Sequence, residues 1–186
     1  MSTAVAARYS IEEFLELPDA KNYELVDGEL KEREMSVNSV WTSGRVYGHL
    51  FLFLLRSPIG LLFPDGLPLA IFPDRPRYSP RPDGAYISFQ RLGQESVPAG
   101  GSLRVAPELV VEVVSTHDRA IDIEGKIRDY LAAGVNLVWV VYPELGRVHI
   151  YRADGSASVL AAPAELTGED ILPGFSVPVA ELFPAD

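Results

Sequence analysis

Three observations predict a mixed α/β sheet flanked by helices, with a β-hairpin near the N-terminus. Residues 107–143 (PELVVEVVSTHDRAIDIEGKIRDYLAAGVNLVWVVYP) read as strand, loop, helix and strand, a βαβ unit of the usual size. Short apolar runs bounded by Gly, Pro and Asp lie on both sides of it, as expected of further strands. Hydrophobic residues make up 47% of the 186, enough for a substantial core, and the length fits a single domain over residues 1–186.

Each element has its own signal. Ser10 precedes a short apolar stretch with Glu12 and Glu13 in its first turn, the pattern of an N-capped helix, which Pro18 ends. Residues 22–32 form a hairpin around Asp27-Gly28, a strong two-residue turn signal. In that register Leu25 faces Leu30 and Glu24 faces Lys31, so a cross-strand ion pair is the simplest account of Glu24. Residues 40–56 put Val46, Leu50, Phe53 and Leu54 on one face of a long helix, despite Gly44 and Gly48. Residues 60–72 read as two short strands around Asp65-Gly66, and the proline-rich residues 73–82 as a loop. A strand follows over 83–88, then an irregular connector over 90–107. In the βαβ unit, Ile123, Ile127, Tyr130 and Leu131 form the buried stripe of a helix from about 119 to 133. Residues 146–152 and 157–160 read as an antiparallel hairpin, and residues 168–183 as a turn-rich closure.

The chain has no cysteine, so disulfides and cysteine-based zinc sites are excluded. The N-terminus lacks a charged region followed by an apolar one, and the longest apolar runs are too short to span a bilayer. A soluble, cytoplasmic protein with no membrane partner is expected. The net charge of −10 argues against broad, non-specific nucleic-acid binding, which rests on clustered Lys and Arg. It leaves room for a metal-dependent nuclease, because such sites are themselves acidic. Arg75, Arg77, Arg81, Arg91 and Arg104 cluster around Asp83, either as a phosphate-facing rim or as solvated loop residues.

The strand over 109–114 is apolar enough to be buried on both faces, yet carries Glu112 in its middle. An ionised carboxylate there needs a partner, since desolvation costs several kcal/mol. Asp83, at the start of a neighbouring strand, and Lys126, on the flank of the following helix, are the candidates. Two converging carboxylates make a hard-oxygen site suited to Mg²⁺ or Mn²⁺, and a lysine beside them would orient water or offset phosphate charge. Each residue also has a bland account. Asp83 alone reads as a loop acid, and Lys126 is able to form an exposed pair with Asp122, four residues earlier. Alternatively, Lys126 simply neutralises Glu112. No phosphate-binding glycine loop, GxGxxG or GxSxG is present, and His49, His117 and His149 lack ligand spacing.

Taken together, YELVDGE (23–29), RPD (81–83), PELVVEVVS (107–115), KIRDYLAAG (126–134), VWVVYP (138–143) and LPGF (172–175) resemble the Uma-type family of predicted endonucleases. That family falls within the PD-(D/E)XK nuclease superfamily, and the likeness runs over nearly the whole chain. It implies a restriction-endonuclease-like fold, with Asp83 and Glu112 as ligands of Mg²⁺ or Mn²⁺ and Lys126 as the catalytic lysine. The usual superfamily lysine position, two residues after the acid, is Val114 here; the family pattern moves the lysine to the next helix. Glu24 matches an acidic family position and is a further candidate catalytic acid. The resemblance also implies a DNA substrate and a homodimer through the long helix, where Phe51 and Leu52 would suit an interface. One departure stands out: Ser43 occupies a position where family members often have histidine, which points to weakened or absent catalysis as the alternative.

Overall fold

The computed structural model describes residues 8–93 and 100–184. The expectation of no signal segment at the N-terminus, and part of the connector over 90–107, fall outside the described residues.

The chain begins with a short helix, α1 (Ile11–Leu15), closed by a reciprocal cap: the Glu13 amide donates to Ser10 Oγ and the Ser10 amide to Glu13 Oε2. Strands β1 (Tyr23–Val26) and β2 (Glu29–Glu32) pair in the expected register, with Leu25 opposite Leu30. Positive φ at Asp27 (51°) and Gly28 (89°) suits a tight primed turn, matched to the twist of the strands. Ile11, Phe14, Ala20 and Leu25 bury together, tying α1 to the hairpin. Leu25 and Ser79 exchange backbone hydrogen bonds of 3.2 and 2.8 Å, which hold the proline-rich loop beside β1. That attachment brings Glu24 close to the segment leading into Asp83.

The main sheet has six strands in the order β3 (Gly60–Pro64), β4 (Gly84–Ser88), β5 (Leu109–Val113), β6 (Leu137–Tyr142), β7 (Arg147–Arg152) and β8 (Ala157–Ala161). Only β5 and β6 run parallel, linked by the crossover helix α4 (Ala120–Ala132). Alternation along β5 divides the core. Leu109, Val111 and Val113 pack with Val46, Leu50 and Leu54 of the long helix α2 (Val37–Arg56), while Val110 joins Ile123, Ile127 and Tyr130 of α4. Both helices therefore cover the strand that carries Glu112, one on each face of the sheet.

Four features differ from the sequence expectation. α2 starts at Val37 rather than residue 40, because Ser36 and Ser39 cap each other's backbone amides and satisfy the first turn. Residues 67–72 form no second strand: Leu69 makes a single bridge to Leu103, and its amide bonds Pro80 O, while Pro68 and Pro73 lack the donors a ladder requires. Within the connector, residues Phe89–Leu92 form a helical turn, α3, capped by Ser88. The closing segment is a two-stranded sheet, β9 (Glu165–Gly168) with β10 (Leu172–Pro178), whose Leu166, Leu172, Phe175 and Val177 join the α2-side core. Its register shifts between Leu172 and Ser176, around Pro173-Gly174, so its turn residues mask its strand pattern.

Candidate active site

Glu112, 5% exposed, points from β5 towards α4 on the same side as Val110. Lys126 and Tyr130, one turn apart on α4, both meet it. The Tyr130 hydroxyl donates to Glu112 Oε1 at 2.7 Å, and Lys126 Nζ donates to Oε2 at 3.3 Å. Lys126 Nζ also donates to Glu24 Oε1 at 2.8 Å, so one ammonium bridges acids from β1 and β5. The same Glu24 oxygen accepts the Arg81 backbone amide at 2.8 Å. Asp83, immediately before β4, accepts the Val113 amide on Oδ2 at 2.6 Å, and its Oδ1 lies 3.6 Å from Arg33, which also pairs with Asp65. All of these groups except Tyr130, which lies buried behind Glu112, line one cleft of about 320 Å³, walled by the start of α2, the β1–β2 hairpin and α4.

The geometry settles three sequence alternatives. Glu24 and Lys31 are cross-strand partners by register, yet Lys31 Nζ lies 2.9 Å from Asp122 instead. Glu24 is buried whereas Lys31 is exposed, so only Glu24 reaches the interior cation. The exposed Lys126–Asp122 pair fails for the complementary reason: Asp122 takes Lys31, and Lys126 turns inward. Four of the clustered arginines do not form a phosphate-facing rim. Arg75 pairs with Asp27 and Asp129, Arg81 donates to the Tyr23 and Gly66 carbonyls, Arg91 pairs with Glu108, and Arg104 pairs with Glu12. His117 is exposed and lies 3.5 Å from Glu34, a residue of the cleft, without lining the cleft itself.

Charge is unevenly balanced at the cleft floor. Burial, then repulsion from Glu112, pushes the Asp83 carboxyl up to about 8. Burial also raises Glu112, against the pull of Lys126 and the Tyr130 hydrogen bond. For Glu24 burial pulls upward too, but Lys126 and the Arg81 amide outweigh it and hold this carboxyl below its usual range. Burial opposes the charge on Lys126, yet Glu112, Glu24 and Asp83 together raise it well above an ordinary lysine. Lys126 is therefore a fixed cation at neutral pH, unsuited to taking a proton.

The donor set fits a hard divalent cation. Among the described residues no three His, Cys, Asp or Glu side chains form a ready-made metal cluster. Asp83 and Glu112 nonetheless supply two carboxylates whose mutual repulsion a cation would relieve, each with lone pairs left beyond its present partners. Mg²⁺ is commonly held in this manner, by one or two carboxylates with substrate phosphate and water completing the shell. Sequence reading missed two members of the cluster. Tyr130 was legible only as stripe, although its spacing of four from Lys126 puts both on one face. Arg33, one residue past the hairpin, carries no signal of its own in the sequence.

The chain thus combines a mixed sheet flanked by helices with a cleft where acids from β5, from the residue before β4 and from the N-terminal hairpin meet a lysine of the crossover helix. The fold is shared with a crystal structure from Anabaena variabilis ATCC 29413, described as "a putative nuclease belonging to DUF820". The two match with a TM-score of 0.76 and 19% identity over 94% of this chain and 97% of that one. The chain belongs to the Uma2 family, described as "Putative restriction endonuclease", whose model matches residues 11–180. No curated protein matches the sequence. No helix among the described residues is long and apolar enough to cross a membrane.

Proposed function

We propose that this chain is a metal-dependent endonuclease hydrolysing DNA phosphodiester bonds, acting as one domain over residues 1–186. Asp83 and Glu112 would hold Mg²⁺ or Mn²⁺, with Lys126 and Glu24 completing the catalytic set. The observation that carries this reading is the bridge from Lys126 to Glu24 and Glu112 at the floor of a cleft shared with Asp83. A divalent ion bound there would supply a more acidic water and offset the charge developing on phosphorus. The protein's own groups do the rest. Tyr130 and the Val113 amide fix Glu112 and Asp83 in place. Glu24, anchored by the Arg81 amide, holds the Lys126 ammonium beside the acids, where it orients the attacking water and balances the scissile phosphate. Water adds to phosphorus and releases a proton to solvent, one P–O ester bond breaks, and the leaving oxygen takes up a proton from solvent to depart as a hydroxyl. A cytoplasmic location and a homodimer through α2 go with this reading.

A second reading, a fold kept for binding or assembly without cleavage, is favoured by Ser43, which lines the cleft where the family pattern often has histidine. Calorimetric titration with Mg²⁺ and Mn²⁺ separates the two. The nuclease reading expects binding by the parent chain and its loss in Asp83→Asn. A parent chain with no affinity for either ion supports the second reading.

A further inference from the structure

We infer that the cleft admits an unpaired DNA strand, and that duplex DNA is excluded unless a strand is peeled from it. The inference rests on the nuclease reading for its chemistry, but the observations that carry it concern access. Glu112 and Glu24 are 5% and 4% exposed, so a phosphate must descend into the cleft to meet them. The cavity of about 320 Å³ is at the low end of the roughly 300–1,000 Å³ typical of small-ligand pockets. A nucleotide of a flexible strand is able to enter such a space; a backbone fixed on the flank of a duplex is not.

Charge points the same way. Among the described residues eight carboxylates and four cations line the cleft, and each of those cations already has an intramolecular partner. Lys31 is held by Asp122 and Arg33 by Asp65, while Glu32, Glu34 and Asp118 face the mouth. Duplex DNA, with one charge per roughly 1.7 Å of axis, needs a cationic track that the described residues of this mouth do not form. A single strand has a lower charge density and offers bases as an alternative handle. The α2 wall supplies the matching surface. Val40, Ser43, Gly44 and Tyr47 share a flank of the helix that lines the cleft, and Met35 joins them from the preceding segment. The Tyr47 ring is braced by a stacked contact with Phe51, centroids 5.9 Å apart, and nothing lies within 4 Å of the Cβ position at Gly44. A braced aromatic beside open helix backbone is a stacking platform for a base.

The test is fluorescence anisotropy of a labelled ten-nucleotide strand and of its duplex, with Ca²⁺ in place of Mg²⁺ so that binding is read apart from cleavage. The parent is expected to bind the strand at least tenfold tighter than the duplex. Tyr47→Ala should weaken strand binding by about tenfold with an unchanged melting temperature, and Tyr47→Phe should restore it. Glu32→Lys with Glu34→Lys should narrow the gap by strengthening duplex binding. Equal or tighter duplex binding by the parent, no strand binding at all, or Tyr47→Ala binding as the parent does would each overturn the inference. If Tyr47→Ala proves to be misfolded, the comparison of strand and duplex on the parent, with the double charge variant, decides alone. Strand binding without any metal-dependent cleavage would contradict the nuclease reading and leave the strand cleft standing.

Discussion

At the residue scale, Lys126 ties the stability of the fold to the proposed site. It is the cation between Glu24 and Glu112, and removing it would leave two buried carboxylates without a counter-charge. Breaking a buried pair in this way commonly costs about 3–5 kcal/mol. Lys126→Met is therefore expected to lose about that much stability in urea denaturation, although the methionine stem packs much as lysine does. An unchanged denaturation midpoint would show that the ammonium is not structurally engaged. Glu112 was legible in the sequence because a carboxylate in a doubly buried strand has no packing explanation. Its partner was legible only as one of two positions for Lys126, since counting along a helix places a side chain on a flank without fixing its direction. Glu24 illustrates the opposite limit. Its strand register followed from Asp27-Gly28, but register names the residue across the strand, not the one across the interior. The proline-rich loop clasped to Leu25 by Ser79 is what brings Glu24 beside the candidate site, and no local pattern announces that clasp.

At the element scale, α2 carries a cost that its packing does not require. Gly48 lies in mid-helix with nothing within 4 Å of a Cβ placed there. Gly48→Ala should stabilise the chain by about 0.5–1 kcal/mol, the usual helix penalty of glycine. At Gly60 the same substitution has the opposite sign, because a Cβ would stand 2.3 Å from the Ile87 carbonyl oxygen. Thermal melts of the two variants check both signs; a stable Gly60→Ala would contradict the tight β3–β4 approach. Long periodic segments read well from sequence: α2, α4, β5 and β6 are where hydrophobic spacing put them. The misses were elements defined by non-periodic features. The Ser36–Ser39 cap extended α2, prolines denied residues 67–72 a ladder, and the shifted register around Pro173-Gly174 hid β10.

At the scale of the whole molecule, two surfaces have different characters. The cleft is acidic, whereas the outward face of α2 is apolar, with Val37 87%, Trp41 42%, Leu52 55% and Leu55 63% exposed. Contiguous exposed apolar residues of this kind suit an interface between copies, and the proposed homodimer would place it there. Leu52→Glu is expected to convert a dimer into a monomer in sedimentation velocity without lowering the melting temperature; a parent chain that sediments as a monomer removes the proposal. In the proposed function, the acidic cleft and an anionic phosphodiester would need a cation between them, and metal dependence is the central claim. The most direct test of that claim is a cleavage assay on single-stranded, duplex and supercoiled DNA with Mg²⁺ or Mn²⁺, comparing the parent with Glu112→Gln. Glutamine keeps an acceptor for the Tyr130 hydroxyl, so the variant removes a charge rather than a contact. The account predicts cleavage that needs the metal, stops on chelation, and falls by at least about 100-fold in Glu112→Gln at a temperature where the variant is fully folded. A Glu112→Gln chain that cuts as well as its parent, or cleavage that persists under chelation, would contradict it.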